Sequence, residues 1–291
     1  MIIVLTGPTG SGKSALAISL ARKLHANIIN ADAFQVYEEL NIATAKPSDD
    51  ELLAAPHFLF SFIPLTSSYS VAEYQKDLRA CIAEFESRGE NIIIAGGTGL
   101  YIRAALYDYE FSEASDIDLS RFEGMSNQDL HDYLRRIDPA SAEAIHPNNR
   151  VRVMRAFTIT LSQGKPKSEI EAEQEHKLLY PAKFYGIKTE REAIYEKVGQ
   201  RVEAMFEAGL IEENRRLVEK YGRDAAAFRA IGVKECFPYF DGEISLEECK
   251  ELIKKNTRNY IKRQDTFFRH QFDIHWIESE EEILEDLAAN G

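Results

Sequence analysis

The distribution of apolar residues predicts short buried strands that alternate with helices over the first 110 residues. Three runs have strand length and β-prone composition: residues 1–6, 27–31 and 91–95. Between them, Leu16, Leu20 and Leu24 recur at helical spacing, and Ser70 with Glu73 forms a capping box. The third run is apolar almost throughout, which fits a strand buried on both faces of a parallel sheet. The pattern therefore predicts a doubly wound α/β core.

The pattern changes between residues 111 and 184, where short helical segments alternate with proline-containing turns. We predict a helical insertion at 111–184 within an α/β core formed by residues 1–110 and 185–291. A strand near 183–187 returns the chain to the sheet, and a long helix follows with Ile194, Val198 and Val202 on one face. A second capping box, at Ser245, opens another long helix, which reaches about His270. A short strand at 273–277 and an acidic helix complete the prediction.

The charge balance argues against a protein that coats nucleic acid, because the formal net charge is −13 and the isoelectric point is near 5.1. A local basic groove is still compatible with this net charge, because salt screens the interactions between charges that lie far apart. Three widely spaced cysteines without metal-ligand spacing predict reduced thiols. No apolar run has the length of a membrane span, and no signal peptide precedes the first strand. We therefore expect a cytoplasmic protein, and nothing in the sequence requires more than a monomer.

A phosphate-binding loop follows the first strand. The residues read G-x-x-x-x-G-K-S: Gly7, Pro8, Thr9, Gly10, Ser11, Gly12, Lys13 and Ser14. Strand, glycine turn and helix are the context in which backbone N–H groups surround phosphates, with Lys13 reaching the phosphates and Ser14 binding Mg²⁺. The alternative is a chance match in a Gly/Ser turn. The motif does not distinguish ATP, GTP and a bare diphosphate as the ligand.

Two further loops follow strands of the same predicted sheet. Asp32 ends the second strand, where it could bind Mg²⁺, accept a proton or simply cap the next segment. Gly96, Gly97, Thr98 and Gly99 follow the third strand, and this loop could approach a ligand or be an ordinary strand-to-helix turn. No Walker B aspartate follows that strand, although an ordinary ATPase usually carries one.

Basic residues cluster in two segments of this acidic chain. The first segment contains Arg150, Arg152, Arg155, Lys165 and Lys167. The second is a ridge at helical spacing on the late helix, formed by Lys250, Lys254, Arg258 and Lys262, with Tyr260, Phe267 and Phe268 interleaved. Cations combined with aromatic side chains are typical of grooves that track nucleic-acid phosphates. A solvated helix face is the alternative for the ridge.

Together these motifs resemble the tRNA dimethylallyltransferase family over nearly the whole chain. The matching segments, in order, are Gly7 to Ser14, D-x-x-Q-V-Y at 32–37, T-A-K-P at 44–47, G-G-T-G-L-Y at 96–101, H-P-N at 146–148, G-L-I-E-E at 209–213, I-G-x-K-E at 231–235 and T-R-x-Y-x-K-R-Q at 257–264. No zinc finger follows the last predicted helix, which indicates a bacterial-type member. The resemblance implies a P-loop NTPase-like parallel sheet flanked by helices, with a helical insertion that closes on the anticodon stem-loop of tRNA.

The resemblance also implies an activity, the transfer of a dimethylallyl group from dimethylallyl diphosphate to N6 of adenosine 37 in tRNA, with Mg²⁺ as cofactor. In this family the P-loop holds a diphosphate leaving group, which accounts for the missing Walker B aspartate. Two other readings stay open from the residues alone. One is a P-loop kinase acting on a small molecule, and the other is a non-catalytic RNA-binding or nucleotide-switch protein.

Carried over residue by residue, the resemblance assigns specific roles. Asp32 would be the general base, Thr98 would lie beside it, and Lys13 and Arg191 would neutralise the diphosphate held by residues 7–14. The tRNA contacts would come from Asp32, Ala33, Phe34, Gln35, Thr98, Arg121, Arg150, Arg152, Arg155, Arg229, Lys234, Arg258 and Lys262. Arg121 stands in a segment that is shorter than is usual in the family. Ala43, Val233 and Phe267 depart from the family pattern on the RNA side, which bears on substrate preference.

Overall fold

The computed structural model describes residues 1–111 and 119–289, apart from the side chain of Arg121. Its centre is a six-stranded sheet in which every neighbouring pair of strands runs parallel. The strands are β1 (Ile2–Thr6), β2 (Ala26–Asn30), β3 (His57–Phe58), β4 (Asn91–Ala95), β5 (Ala182–Ile187) and β6 (His275–Ile277). Their order across the sheet is β3-β2-β4-β1-β5-β6. The predicted α/β fold with a parallel sheet is therefore confirmed.

Helices lie between the strands in sequence and also follow the last strand. The described residues form α1 (Lys13–Leu24), α2 (Asp49–Ala54), α3 (Val71–Ser87), α4 (Gly99–Leu106), α5 (Ser120–Glu123), α6 (Asn127–Ile137), α7 (Pro139–Ala144), α8 (Arg150–Gln163), α9 (Lys167–Ala172), α10 (Arg191–Glu207), α11 (Leu210–Tyr221), α12 (Phe237–Phe240), α13 (Leu246–Gln271) and α14 (Glu280–Ala289). Two 3₁₀ turns, Ala226–Arg229 and Lys234–Cys236, lie between α11 and α12. No helix in the described part of the chain is both long enough and apolar enough to cross a membrane.

The chain forms two compact units. The first contains the sheet and comprises Met1–Leu106 with Tyr180–Gly291, and the second is the helical segment Tyr107–Leu179. The division predicted from the sequence placed the helical segment at 111–184. Both capping boxes are confirmed, because Ser70 accepts a hydrogen bond from the N–H of Glu73 and Ser245 accepts one from Glu248.

The central strands of the first unit are buried, and the loops that follow them lie at one edge of the sheet. All five residues of β1 are buried, and so are the three isoleucines of β4. In register, Ile3 is paired with Ile93 of β4 on one side and with Lys183 of β5 on the other. Because the strands are parallel, the loops that follow β1, β2, β4 and β5 all leave the sheet at the same edge.

The helical unit has its own core of aliphatic and aromatic side chains. The buried members are Phe122, Leu130, Leu134, Ala142, Ile145, Val153, Ala156 and Phe157. Asp138 is fully buried at the start of α7 and accepts hydrogen bonds from the backbone N–H groups of Ser141 and Ser168, both at 3.0 Å. Buried carboxylates need such donors, since an unpaired buried charge is strongly unfavourable.

Candidate functional site

The loop after β1 has the geometry of an anion-binding site. Gly10 and Gly12 adopt positive φ angles of 85° and 95°, which side chains with a Cβ rarely adopt. Helix α1 begins at Lys13, and no side chain caps its first N–H groups. Uncapped N–H groups and the positive end of the helix dipole attract phosphate oxygens.

Lys13 lies at the centre of this loop. Its ammonium group donates a 2.9 Å hydrogen bond to the carbonyl oxygen of Pro8. Burial lowers the pKa of Lys13 to about 8, while the negative charge of Asp32 opposes that shift and the positive charge of Arg201 adds to it. Asp32, Lys13 and Arg201 therefore interact electrostatically, although they come from three separate segments of the chain.

Asp32 lies in the loop after β2 and is held there by backbone contacts. Its N–H donates to Oδ1 of Asn30 at 2.9 Å, and its own Oδ1 accepts from the N–H of Phe34 at 2.9 Å. Thr98 accepts a hydrogen bond from the N–H of Ala33 at 3.0 Å, so the loop after β4 lies beside Asp32. The structure thus brings together the two loops that the sequence predicted to meet at this edge.

Arg201 was missed by the sequence analysis. It lies on α10, half-buried, three residues after Val198 and four before Met205, on the side of the helix that faces the core. Burial lowers the pKa of Arg201, and the charge of Asp32 opposes this shift. The sequence does carry a signal that could have identified Arg201, because this arginine lies within an otherwise apolar stripe on one face of α10.

A cavity of about 210 Å³ lies next to these charges. Its lining includes the polar residues Thr9, Asp32 and Arg201 and the apolar residues Val202 and Met205. The cavity is also lined by Ala43, Thr44, Val198, Arg229, Lys234, Ile253, Thr257, Tyr260 and Arg263. Such a cavity can hold an anionic group and a small apolar group side by side.

Arg191 lies apart from this cavity. It is exposed at the first turn of α10 and lines a second cleft with Pro8 and Lys262. The structure therefore places Arg191 near the phosphate loop and Arg201 near Asp32. The role of Arg191 on the diphosphate stays a prediction.

Gln35 and the loop after it are fixed by polar contacts. The side-chain amide of Gln35 donates to the carbonyl oxygens of Thr44 at 3.0 Å and Ala45 at 3.1 Å. Its amide nitrogen is thus engaged by the protein backbone. Ala33 and Phe34 lie between Asp32 and Gln35 and are only partly buried.

The carboxylate of Glu213 holds residues 41–43 in place, and Ala43 of this segment lines the cavity. Glu213 is only 8% exposed, and it accepts hydrogen bonds from the N–H groups of Asn41 at 3.1 Å, Ile42 at 2.9 Å and Ala43 at 3.3 Å. One side chain thus satisfies three consecutive backbone donors.

Replacing Glu213 with alanine is expected to lower the free energy of unfolding by about 3 kcal/mol, because three backbone N–H groups lose a charged acceptor. Urea denaturation followed by circular dichroism measures the change. Glu212→Ala is the matched control, since its neighbouring side chain is exposed and should change stability by less than about 0.5 kcal/mol. Equal destabilisation by both variants would contradict the anchoring role.

The predicted basic ridge on α13 is divided by ion pairs. Lys250 is paired with Glu203 at 3.0 Å and Lys254 with the same carboxylate at 2.7 Å. Within the described residues, no ion pair involves Arg258 or Lys262. The first half of the ridge therefore ties α13 to α10, and the second half presents the cations that stay available to an anionic partner.

The basic segment of the helical unit is divided in a similar way. The guanidinium group of Arg150 donates to the carbonyl oxygens of Phe122, Glu123 and Met125, at 2.8 to 3.0 Å. Arg152 and Arg155 are exposed on α8. The side chain of Arg121 lies outside the described part of the chain. Arg150 thus has a structural role within its unit, and the contacts of Arg152 and Arg155 with tRNA stay predictions.

The chain is similar to known proteins over nearly its full length. The family model described as IPP transferase matches residues 35–271. The chain is 44% identical over 291 residues to the tRNA dimethylallyltransferase of Anoxybacillus flavithermus, covering 99% of this chain and 94% of that protein.

Two solved structures are also similar to this chain over nearly its full length. A tRNA delta(2)-isopentenylpyrophosphate transferase from Staphylococcus epidermidis superposes with a TM-score of 0.73 at 37% identity, covering 99% of this chain and 98% of that one. A eukaryotic dimethylallyltransferase acting on tRNA gives a TM-score of 0.84 at 29% identity, covering 95% of this chain and 73% of that one.

Proposed function

Because this chain belongs to the IPP transferase family, to which its tRNA dimethylallyltransferase relatives also belong, we propose that it transfers a dimethylallyl group from dimethylallyl diphosphate to tRNA. The acceptor is the N6 amine of adenosine 37, and diphosphate is released. The observation that supports this reaction is the convergence of Asp32 with Lys13 and Arg201 beside one cavity. A base for the acceptor and cations for the leaving group thus lie together beside one cavity.

The chemistry requires both kinds of group. The N6 nitrogen attacks C1 of the dimethylallyl group, the bond from C1 to the diphosphate oxygen breaks, and its electron pair leaves with the diphosphate. The Asp32 carboxylate accepts the proton that N6 loses, because an aryl amine is a weak nucleophile. Lys13, Arg201 and the N-terminus of α1 stabilise the charge that develops on the diphosphate. The target base lies in an RNA loop, where it can leave the stack at low cost.

Mg²⁺ fits the donor atoms of the phosphate loop. Ser14 is exposed in the first turn of α1, and among the described residues no cluster of three or more acidic, histidine or cysteine side chains could hold a metal ion. Mg²⁺ typically binds one or two protein groups together with phosphate oxygens and water. The hydroxyl of Ser14 would hold the ion on the diphosphate, where it would neutralise charge on the leaving group.

The tRNA is expected to contact exposed cations of each unit. In the first unit, Arg229 and Lys234 are exposed at the cavity, and Arg258 and Lys262 lie on α13. Arg152 and Arg155 would serve the same purpose in the helical unit. Because tRNA is the substrate, we expect the protein to act in the cytoplasm, and a monomeric state stays a prediction.

A donor assay tests the proposed reaction. Purified protein is incubated with unmodified tRNA and either labelled dimethylallyl diphosphate or ATP labelled in its γ-phosphate. We expect label from the prenyl donor in tRNA, located at adenosine 37 by mass analysis, and none when position 37 is guanosine. Phosphoryl transfer from ATP without prenylation would contradict the proposal and favour a P-loop kinase. Normal tRNA binding without turnover would favour a non-catalytic RNA-binding protein.

The pKa of Lys13 predicts how donor use depends on pH. In the donor-free protein burial lowers this pKa to about 8, so the ammonium loses its charge as the pH rises through that value. Because the charge attracts diphosphate, kcat/KM for dimethylallyl diphosphate is expected to fall on the alkaline side of about pH 8. A pH profile of kcat/KM at saturating tRNA measures this, since that ratio reports ionisations of the donor-free enzyme. A profile that stays flat to about pH 10 would contradict the assignment.

A further inference from the structure

Gln264 is a buried polar residue on α13 whose side-chain amide forms hydrogen bonds through both its oxygen and its nitrogen. It is only 4% exposed. Its Oε1 accepts a hydrogen bond from the N–H of Thr9 at 3.0 Å, and its Nε2 donates to the carbonyl oxygen of Gly97 at 2.9 Å. A buried amide with both partners fixed has one orientation, because turning it over would break both hydrogen bonds.

These two partners belong to different functional loops. Thr9 is part of the phosphate loop after β1, and Gly97 precedes Thr98 in the loop after β4. Gly97 leaves room for the bridge, because a Cβ at that position would lie 2.2 Å from Nε2 of Gln264. The same Cβ position is 4.0 Å from Oδ2 of Asp32. The bridge therefore lies close to the carboxylate of the candidate base.

The contact continues from Gly97 to the loop of Asp32. Thr98 accepts the hydrogen bond from the N–H of Ala33, which follows Asp32 in sequence. Tyr260 lies one helical turn before Gln264 on α13. Burial and the charge of Asp32 raise the pKa of Tyr260 to about 12, and its contacts with Thr98 and Gln264 oppose the shift. One face of α13 thus contacts the loops of both the base and the leaving group.

We propose that Gln264 is a positioning residue that sets the separation between the loop of Asp32 and the diphosphate-binding loop, without touching either substrate. This inference rests on the proposed function, since it assigns the two loops to the acceptor and the leaving group. Without the bridge, the N–H of Thr9 and the carbonyl of Gly97 have no common partner, and the two loops move independently. Transfer is sensitive to such movement, because a misplacement of about 1 Å can lower a rate by about 10²-fold.

Substitutions of Gln264 separate positioning from a purely structural role. Gln264→Ala removes both hydrogen bonds and is expected to lower kcat by about 10²-fold, with the Kd for tRNA changed by less than about 2-fold. Its affinity for inorganic diphosphate, measured by calorimetry, is expected to fall by about 10-fold, because the phosphate loop is no longer held at Thr9. Gln271→Ala is the matched control on the same helix and should behave as the parent protein.

A second variant tests the donor end of the amide. Gln264→Glu keeps an acceptor for the N–H of Thr9, but an ionised carboxylate would repel the carbonyl oxygen of Gly97. When protonated, the carboxyl group can donate to that oxygen, and burial beside Asp32 and Tyr260 favours the protonated form. The activity of Gln264→Glu relative to the parent is therefore expected to rise as the pH falls from about 8 to about 6, whereas the ratio for Gln264→Ala stays constant.

Each outcome decides the proposal. It is overturned if Gln264→Ala is folded and retains kcat, if its tRNA affinity falls in step with turnover, or if the ratio for Gln264→Glu does not change with pH. If Gln264→Ala fails to fold, Gln264→Glu tests the proposal instead. The two readouts are then the pH dependence of its activity relative to the parent and its affinity for inorganic diphosphate. Failure of the proposed function is distinct, because the parent protein would then transfer no prenyl group, while the calorimetric comparison would still test the bridge.

Discussion

Replacing Asp32 with asparagine is expected to lower the rate of prenyl transfer by about 10²- to 10⁴-fold, which is the usual contribution of a positioned general base. The asparagine oxygen can still accept the hydrogen bond from the N–H of Phe34, so the loop after β2 should keep its conformation. The lost property is the ability to take a proton from N6. Single-turnover measurements with saturating dimethylallyl diphosphate report this step, and filter binding reports the Kd for tRNA.

Two comparisons make the Asp32→Asn result specific. Asp273→Asn removes one exposed negative charge elsewhere in the same unit and should leave the rate unchanged. The Kd of Asp32→Asn for tRNA should stay within about 2-fold of the parent, since most single contacts of an interface contribute little to its affinity. A rate within about 3-fold of the parent's would refute the base assignment, because the smallest loss expected for a base is about 10²-fold. Parallel loss of tRNA binding would instead make Asp32 an RNA contact.

Replacing Lys13 with methionine is expected to have opposite effects on activity and stability. Loss of the ammonium should lower kcat/KM for dimethylallyl diphosphate by about 10²- to 10³-fold, as removal of a group that stabilises developing charge commonly does. The same change should raise the free energy of unfolding at pH 7, because methionine carries no buried charge at that position.

The sign of the stability effect follows from the pKa of Lys13. Burial lowers that pKa to about 8 in the folded protein, from its ordinary value of 10.5. The unfolded chain therefore binds more protons between these two values, and the stability of the parent rises with pH across that interval. The advantage of Lys13→Met should be largest below about pH 8 and shrink above it.

Thermal denaturation of the ligand-free protein at about pH 7 and about pH 9.5 measures this trend. Lys76→Met serves as the control, because its side chain is exposed on α3 and the substitution should change neither activity nor the pH dependence of stability. A variant that is less stable than the parent at pH 7 would contradict the view that charge burial at Lys13 is unfavourable.

Local patterns in the sequence were sufficient to predict the frame of the site. Continuous apolar runs predicted β1 and β4, and the glycines that follow each run predicted loops at one edge of a parallel sheet. Capping boxes predicted the starts of α3 and α13, because the contacts of a cap lie within four residues. That Thr98 lies beside Asp32 was expected from the family resemblance, and its hydrogen bond from the N–H of Ala33 places it next to that residue.

The sequence could not predict which charged residues would find partners within the protein. Lys254 and Arg258 look equivalent at helical spacing, yet only Lys254 meets Glu203, which lies on a different helix about 50 residues away. Arg150 resembles a solvent-exposed cation until the carbonyl groups of residues 122–125 surround it. Arg201 is apparent as a site residue only when the fold brings α10 to the cavity that Asp32 also lines. These outcomes depend on tertiary contacts, which local propensity does not encode.

The order of strands in the sheet has a consequence for the synthesis of the protein. β1 leaves the ribosome well before its partner β5, which lies about 180 residues later, with Leu5 paired to Tyr185. At typical rates of translation this delay lasts roughly 10 to 40 s. One edge of β1 stays unpaired during that interval, and Gln264, which joins the two loops, emerges later still. The nascent chain thus carries its phosphate loop long before it can catalyse a reaction, and an unpaired strand edge of this kind favours aggregation until β5 covers it.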